Sequence, residues 1–140
     1  MTKKQLEALE VKKLKAAIKK ADRWYNKYIV LRDKKCIRCN SEESGQCSHY
    51  YGKDACPRLR YDGDNTHRMC KACHCRHHKV DDHWYADWMR HNYGEAKLDW
   101  LEKLAGDKVT WDIAYYEAIE AKYKALVKSM EASNAKDSAD

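Results

Sequence analysis

Cysteine and histidine crowd the middle of this chain at spacings that suit metal chemistry. Cys36 and Cys39 form one Cys-x-x-Cys pair, and Cys70 and Cys73 form another after 30 intervening residues. Four thiolates in two close pairs satisfy a tetrahedral zinc ion, which takes sulfur ligands readily. The first pair reads as a knuckle turn. The second reads as the start of a helix, where backbone N–H groups favour thiolate over thiol. The intervening stretch has room for a β-hairpin and a loop, so the spacing predicts a treble-clef arrangement. The bland alternative is four ordinary buried thiols. Cys47, Cys56 and Cys75 are spare, and Cys47 or Cys75 stands as a substitute for one ligand.

The histidines offer a second kind of chemistry. His49, Asn65 and His74 follow in order within the cysteine frame, with His77 and His78 just behind. His74 and His78 are four apart, hence on one helix face, where two imidazoles can share a metal ion. Taken singly, His49 is an ordinary surface residue and Asn65 an ordinary turn former. Taken together they put imidazole, amide and imidazole on a strand, a loop and a helix.

Composition narrows the setting. The 140 residues suffice for one small domain with extensions. No apolar run is long enough for a membrane span, and no apolar signal region follows Met1-Thr2-Lys3-Lys4. We therefore expect a cytoplasm-like, reducing compartment, where seven cysteines mean metal rather than disulfides. The net charge of +6 is uneven: +8 over residues 1–35, +3 over 36–80 and −5 over 81–140. A basic front half suits a polyanion. The competing reading is a solvated lysine-rich helix.

The positioning elements follow from periodicity. Residues 3–35 read as one basic N-terminal helix with a seam at Val11, Leu14, Ile18, Ala21, Tyr25 and Tyr28. Residues 36–80 read as the zinc-binding core, with extended pieces at 46–51 and 66–69, turns at Gly45, Gly52 and Gly63, and a short helix over 71–80. Residues 81–130 read as helical. One helix is capped by Asp81 or Asp82 and stopped by Gly94, a second is ended by Gly106, and Thr110 caps a third running from Trp111 to about Met130. The buried face of that last helix is expected at Trp111, Ala114, Ala118, Ala121 and Ala125. Residues 131–140 read as a disordered tail. The terminal helices pair with each other or form a homodimer. The fold class expected is α+β, mostly α, with a zinc-stabilised core between long N- and C-terminal helices.

At this point the chain resembles the HNH, or ββα-metal, endonucleases, and within them the NinG family of phage recombination nucleases, also called Rap. The residues that carry the resemblance are Lys20-Ala21-Asp22, Tyr28-Ile29-Val30-Leu31-Arg32-Asp33, Cys36-Ile37-Arg38-Cys39, Ser48-His49-Tyr50, Leu59-Arg60-Tyr61-Asp62, Asp64-Asn65-Thr66-His67 and Cys70-Lys71-Ala72-Cys73-His74. Tyr93-Gly94-Glu95 and Asp99-Trp100-Leu101 extend it. The resemblance implies His49 as general base, Asn65 as the residue that holds the loop, and His74 and His78 facing a catalytic Mg²⁺ or Mn²⁺. It leaves Cys36, Cys39, Cys70 and Cys73 to a structural Zn²⁺. Many HNH enzymes place an acid or histidine just before the base, where this chain has Ser48. Many NinG relatives carry Asn where it has His74.

The resemblance implies a divalent-metal-dependent endonuclease acting on branched DNA, in the bacterial host cytoplasm if the chain is phage-encoded. The residues agree: imidazole is a base suited to neutral pH. Arg58, Arg60 and Arg76 lie near enough in sequence to hold phosphates. Lys12, Lys13, Lys15, Lys19, Lys20, Arg23 and Lys27 form a basic helix face for the same purpose. Two non-enzymatic readings compete, a zinc-dependent nucleic-acid-binding module and a zinc-built protein adaptor.

Overall fold

The computed structural model describes residues 1–79 and 83–139. Among these residues the elements in order are α1 (Lys3–Asp33), β1 (Gln46–His49), a 3₁₀ turn (Pro57–Leu59), β2 (Thr66–Met69), α2 (Lys71–Lys79), α3 (His83–Tyr93), α4 (Glu95–Ala105) and α5 (Ile113–Ala139). The class is α+β and mostly helical, with one small two-stranded sheet. The chain divides into two compact units. One is Met1–Leu31 with the chain from Trp111 on, and the other is Arg32–Thr110.

In the first unit α1 and α5 run parallel. Tyr25 meets Tyr123 edge-on at 4.8 Å, Tyr28 meets it at 5.0 Å, and Lys27 pairs with Glu131 at 3.0 Å. Earlier residues of α1 (Glu10, Val11, Leu14) share a groove with Trp111–Ala114. Thr2 and Gln5 start α1 with a reciprocal capping box: Gln5 N donates to Thr2 Oγ1 at 3.1 Å, and Thr2 N donates to Gln5 Oε1 at 2.8 Å.

α1 buries part of the expected seam, Ala21 and Tyr25, and α5 buries a different face from the one expected. In α1 the buried line is Ala17, Ala21, Tyr25 and Ile29, while Val11 is 52% exposed. A constant step of four residues makes an inclined ridge, and alanines on it let a second helix approach closely. In α5 the buried residues are Tyr116, Tyr123 and Val127, and the alanine face at 114, 118, 121 and 125 is exposed. Tyrosine and valine remove more apolar area from water than alanine does. Asp112, not Thr110, caps α5 by accepting from Tyr115 N at 2.9 Å. The helix also continues to Ala139, where a disordered tail was expected from residue 131. Alanine and lysine are strong helix formers, and no glycine or proline stops the helix there. The Asp81 or Asp82 cap lies outside the described residues.

The second unit is built on a hairpin. β1 and β2 pair antiparallel with Gln46 opposite Met69, Cys47 opposite Arg68, Ser48 opposite His67 and His49 opposite Thr66. α1 ends at Asp33, with Lys34 in the left-handed region at φ 65°. Arg32 then reaches the carbonyls of Gly63 and Thr66 at 2.8 and 2.7 Å, and Asp33 accepts from the backbone N–H of Arg68 at 2.8 Å. A Cβ at Gly45 would stand 2.6 Å from the Arg68 guanidinium, so any other residue there would have to displace that side chain. The apolar core of the unit is small: Leu59, Met69, Tyr85, Met89 and Leu101 with Cys36 and Cys70.

A buried polar chain ties α3 to this hairpin. Tyr85 donates its only hydroxyl proton to the Ser48 carbonyl (3.3 Å), so His67 Nδ1–H donates to the Tyr85 oxygen (2.8 Å). Tyr93 then donates to His67 Nε2 at 2.8 Å. Burial, with the nearby Arg32 cation adding to it, lowers the His67 pKa from 6.5 to about 4. The fold thus favours neutral imidazole, and below pH 6.5 the unfolded chain binds the extra proton. Stability should fall as pH drops from 6.5 toward 4. The loss is on the order of 3 kcal/mol. Urea midpoints compared at about pH 7 and about pH 5 should show this. His67→Gln should have a flatter pH profile than the parent, because the amide bonds both tyrosines without titrating. Parallel profiles would remove His67 as the cause.

Candidate metal centre and histidine site

The Cys36–Asn40 knuckle is a tight turn closed by Asn40 N donating to the Cys36 carbonyl at 3.0 Å, with Asn40 itself at φ 64°. Ile37 N donates to the Arg68 carbonyl at 2.9 Å and fixes the knuckle to β2. Across from it, Cys70 stands between β2 and α2, and Cys73 lies in the first turn of α2. The sulfurs of Cys36, Cys39, Cys70 and Cys73 all lie within 4.8 Å of one another, and Cys39 and Cys70 are 3.6 Å apart. Sulfurs bonded tetrahedrally to zinc at about 2.3 Å stand about 3.8 Å apart. The cluster is therefore arranged to hold a structural zinc ion. Cys47, Cys56 and Cys75 are not in it.

Thiol ionisation in the cluster is divided. At Cys36 burial raises the pKa, but N–H groups of Cys39, Cys70 and Arg38 outweigh it and bring the thiol down to about 7. Burial and the neighbouring sulfurs push Cys73 far up. One thiolate is accommodated and further ones are resisted, which is the electrostatics of a site that needs a cation.

The histidines gather on the hairpin and α2. His49 ends β1, and its Nε2 lies 2.9 Å from the Arg60 carbonyl. A carbonyl only accepts, so the proton is on Nε2 and the lone pair on Nδ1. Asn65 is fully buried and saturated: its oxygen accepts from Tyr51 N at 2.8 Å, and its nitrogen donates to the carbonyls of Tyr51 and Leu59 at 3.0 and 3.1 Å. It spans the loop between the strands and holds the residue next to Arg60. His74 Nδ1 lies 2.7 Å from Gln46 Oε1, and His74 Nε2 lies 2.9 Å from His78 Nε2. Burial, followed by the imidazoles of His78, His77 and His49, lowers the His74 pKa to about 4.

Ser48 is fully buried on the opposite face of β1 from His49. The remaining polar and basic residues have partners of their own or face solvent. Asp64 pairs with Lys97 at 2.9 Å, and Asp62 accepts from Asp64 N at 2.9 Å. Arg58 lies 3.9 Å from Asp107. Arg60 is 12% exposed in its side chain and 3.5 Å from Asp54. Arg76 is exposed. In the other unit Lys12, Lys13, Lys15, Lys19, Lys20, Arg23 and Lys27 are all exposed, away from the buried line.

Three contributors were missed from sequence. His77 Nε2 lies 3.1 Å from the His49 carbonyl, a contact that its position three after His74 could have suggested. Gln46 carried no signal. Lys124 joins Arg23 and Lys27 around the Trp24 ring, at 5.6, 5.7 and 5.6 Å from its centroid, and comes from a helix remote in sequence.

The chain is thus a mostly helical α+β protein with a short hairpin and a four-cysteine cluster able to hold zinc. The family model described as bacteriophage lambda NinG protein matches residues 1–133, and the chain belongs to that family. No curated protein and no solved structure matches it. No helix among the described residues is long and apolar enough to cross a membrane.

Elemental analysis should find one zinc ion per chain, and Cys70→Ser should lose it. Structural zinc sites contribute about 10–16 kcal/mol in small peptides, so the variant should also lose cooperative thermal unfolding of the Arg32–Thr110 unit. A Cys70→Ser chain with the parent's melting temperature would refute a structural role.

Proposed function

We propose that the protein is a divalent-metal-dependent DNA endonuclease of the HNH type, with a treble-clef ββα-metal core, that cuts branched recombination intermediates such as Holliday junctions and D-loops. The observation that carries this reading is the tautomer of His49. Its Nε2 lies 2.9 Å from the Arg60 carbonyl, which puts the proton on Nε2 and the lone pair on Nδ1, and its ring is close enough to His74 to help lower that imidazole's pKa. His74 and His78 would hold the divalent ion, with water completing its coordination. Two imidazole nitrogens 2.9 Å apart match neighbouring ligands of one ion, which stand about 3 Å apart for bonds of about 2.1 Å. Such an ion supplies positive charge for the leaving 3′ oxygen.

The chain's own residues do the rest. His49 Nδ1 takes the proton of an attacking water, and the Nε2–H···O=C bond steadies the imidazolium that forms. Asn65 keeps that carbonyl in place through its neighbour Leu59, and so orients the base. His77 holds the backbone of His49 from the other side. Arg76 is placed to meet a flanking phosphate. In the other unit, the basic face of α1 takes further phosphates, and the cations around Trp24 add Lys124 to it.

One observation favours a binding module instead. Among the described residues only the four cysteines form a cluster of three or more metal-binding groups, and the residue before His49 is a buried serine. Activity separates the two readings. With Mg²⁺ or Mn²⁺, the parent should cut a labelled four-way junction. His49→Ala should lower the rate about 10²–10⁴-fold with DNA binding and zinc content unchanged. Equal cleavage by parent and variant would remove His49 as the base, and no cleavage by the parent would favour the module.

Substrate preference and the basic face are tested by competition. A four-way junction should outcompete linear duplex of equal length. Lys124→Ala should weaken both alike and reduce the salt slope by about 1. Equal affinity for the two DNAs would rule out junction recognition.

A further inference from the structure

The fold treats the two nitrogens of His74 differently. Nε2 meets the Nε2 of His78 at 2.9 Å, one turn further along α2. Nδ1 meets the amide oxygen of Gln46 at 2.7 Å. Gln46 opens β1 opposite Met69, one residue before Cys70 and two before α2 begins. The end of the hairpin and the start of the helix therefore converge on this one imidazole.

We propose that Gln46 is a positioning residue for a divalent cation: its amide oxygen holds the His74 proton on Nδ1, so that the Nε2 lone pair faces the space shared with His78. The proposal rests on the reading of His74 and His78 as a cation site. Neutral imidazole carries one proton, and which nitrogen bears it is decided by the partner of the other. A carbonyl-type oxygen at 2.7 Å accepts only, so it draws the proton to Nδ1. Two facing Nε2 atoms at 2.9 Å need a proton or a cation between their lone pairs. With the His74 proton held away, that gap takes a single proton from His78 or a metal ion, and His74 needs no tautomer change to become a ligand. Metal-binding histidines generally have such a partner, and losing it costs about 10–100-fold in metal affinity. Here the partner is an uncharged amide on a strand rather than a carboxylate. It orients the ring without adding negative charge beside the four thiols.

Two measurements on the full-length, zinc-loaded protein test this. Ring nitrogen shifts from ¹⁵N NMR, without added Mg²⁺ or Mn²⁺, should show His74 with its proton on Nδ1. Gln46→Leu should shift it toward the Nε2–H form, and Gln46→Glu should keep the parent form. Electron paramagnetic resonance with Mn²⁺ as the probe should show affinity about 10–100-fold weaker in Gln46→Leu, with Gln46→Glu at least as tight as the parent. Unchanged zinc content guards against a folding defect. An unmoved His74 tautomer in Gln46→Leu overturns the proposal. So does parent-like Mn²⁺ affinity in that variant while His78→Ala loses the ion, and there the cation site itself survives. If His78→Ala binds Mn²⁺ as the parent does, the cation site fails, and the positioning role fails with it.

Discussion

A hairpin of two four-residue strands cannot hold itself together in water, yet the histidine site of this protein stands on one. The convergence of four sulfurs within 4.8 Å makes that hairpin usable. The knuckle and the first turn of α2 are drawn to one point, and β2 lies between them. The apolar core of the unit has few members, so burial alone contributes little there. Everything that places His49 and His74 is built outward from this staple.

Three polar devices carry the staple's rigidity to the site. Arg32 and Asp33, at the end of α1, fasten the far side of β2 through its backbone. The Tyr93–His67–Tyr85–Ser48 chain fastens α3 to both strands. Asn65 spans the loop with three hydrogen bonds and leaves none of its buried amide wanting. A satisfied network of this kind resists distortion because breaking any member strands a buried polar group. Imidazole tautomers are then fixed by the scaffold, which catalysis by a histidine base requires. The site is small, and its precision comes from hydrogen bonds more than from packing.

The pairing of α1 with α5 follows a separate logic. Parallel helices need a long connection between them, and the Arg32–Thr110 unit is that connection. Alanine and tyrosine alternate in the contact: Ala17 and Ala21 allow close approach, while Tyr25 and Tyr123 fill the space beside them. The charged groups are left on the outer faces. Cations from both helices gather around Trp24, where the ring face offsets part of their mutual repulsion.

Much of this was legible in the chain before any coordinates. Cys-x-x-Cys spacing identified the four clustered sulfurs because metal geometry leaves few other uses for two such pairs. Gly94 and Gly106 marked helix ends, and at Gly94 the reason is a φ of 84°, backbone that other residues resist. Strand β2 and the order of elements followed from apolar periodicity and turn residues. The buried face of α5 did not, and that of α1 did only at Ala21 and Tyr25, since two stripes competed on each helix and only the partner decides which is covered. Thr110 was expected to cap α5 where Asp112 does, since nearby capping residues are chemically alike until the first turn is in place. Of the site, the sequence determined which residue types were present and which two histidines shared a face. Only the tertiary structure decided that the Arg60 carbonyl meets His49 Nε2, that Gln46 Oε1 meets His74 Nδ1, and that Lys124 joins Arg23 and Lys27. Those contacts join residues 11, 28 and about 100 positions apart, and spacing along a chain carries no information about hydrogen bonds made across it.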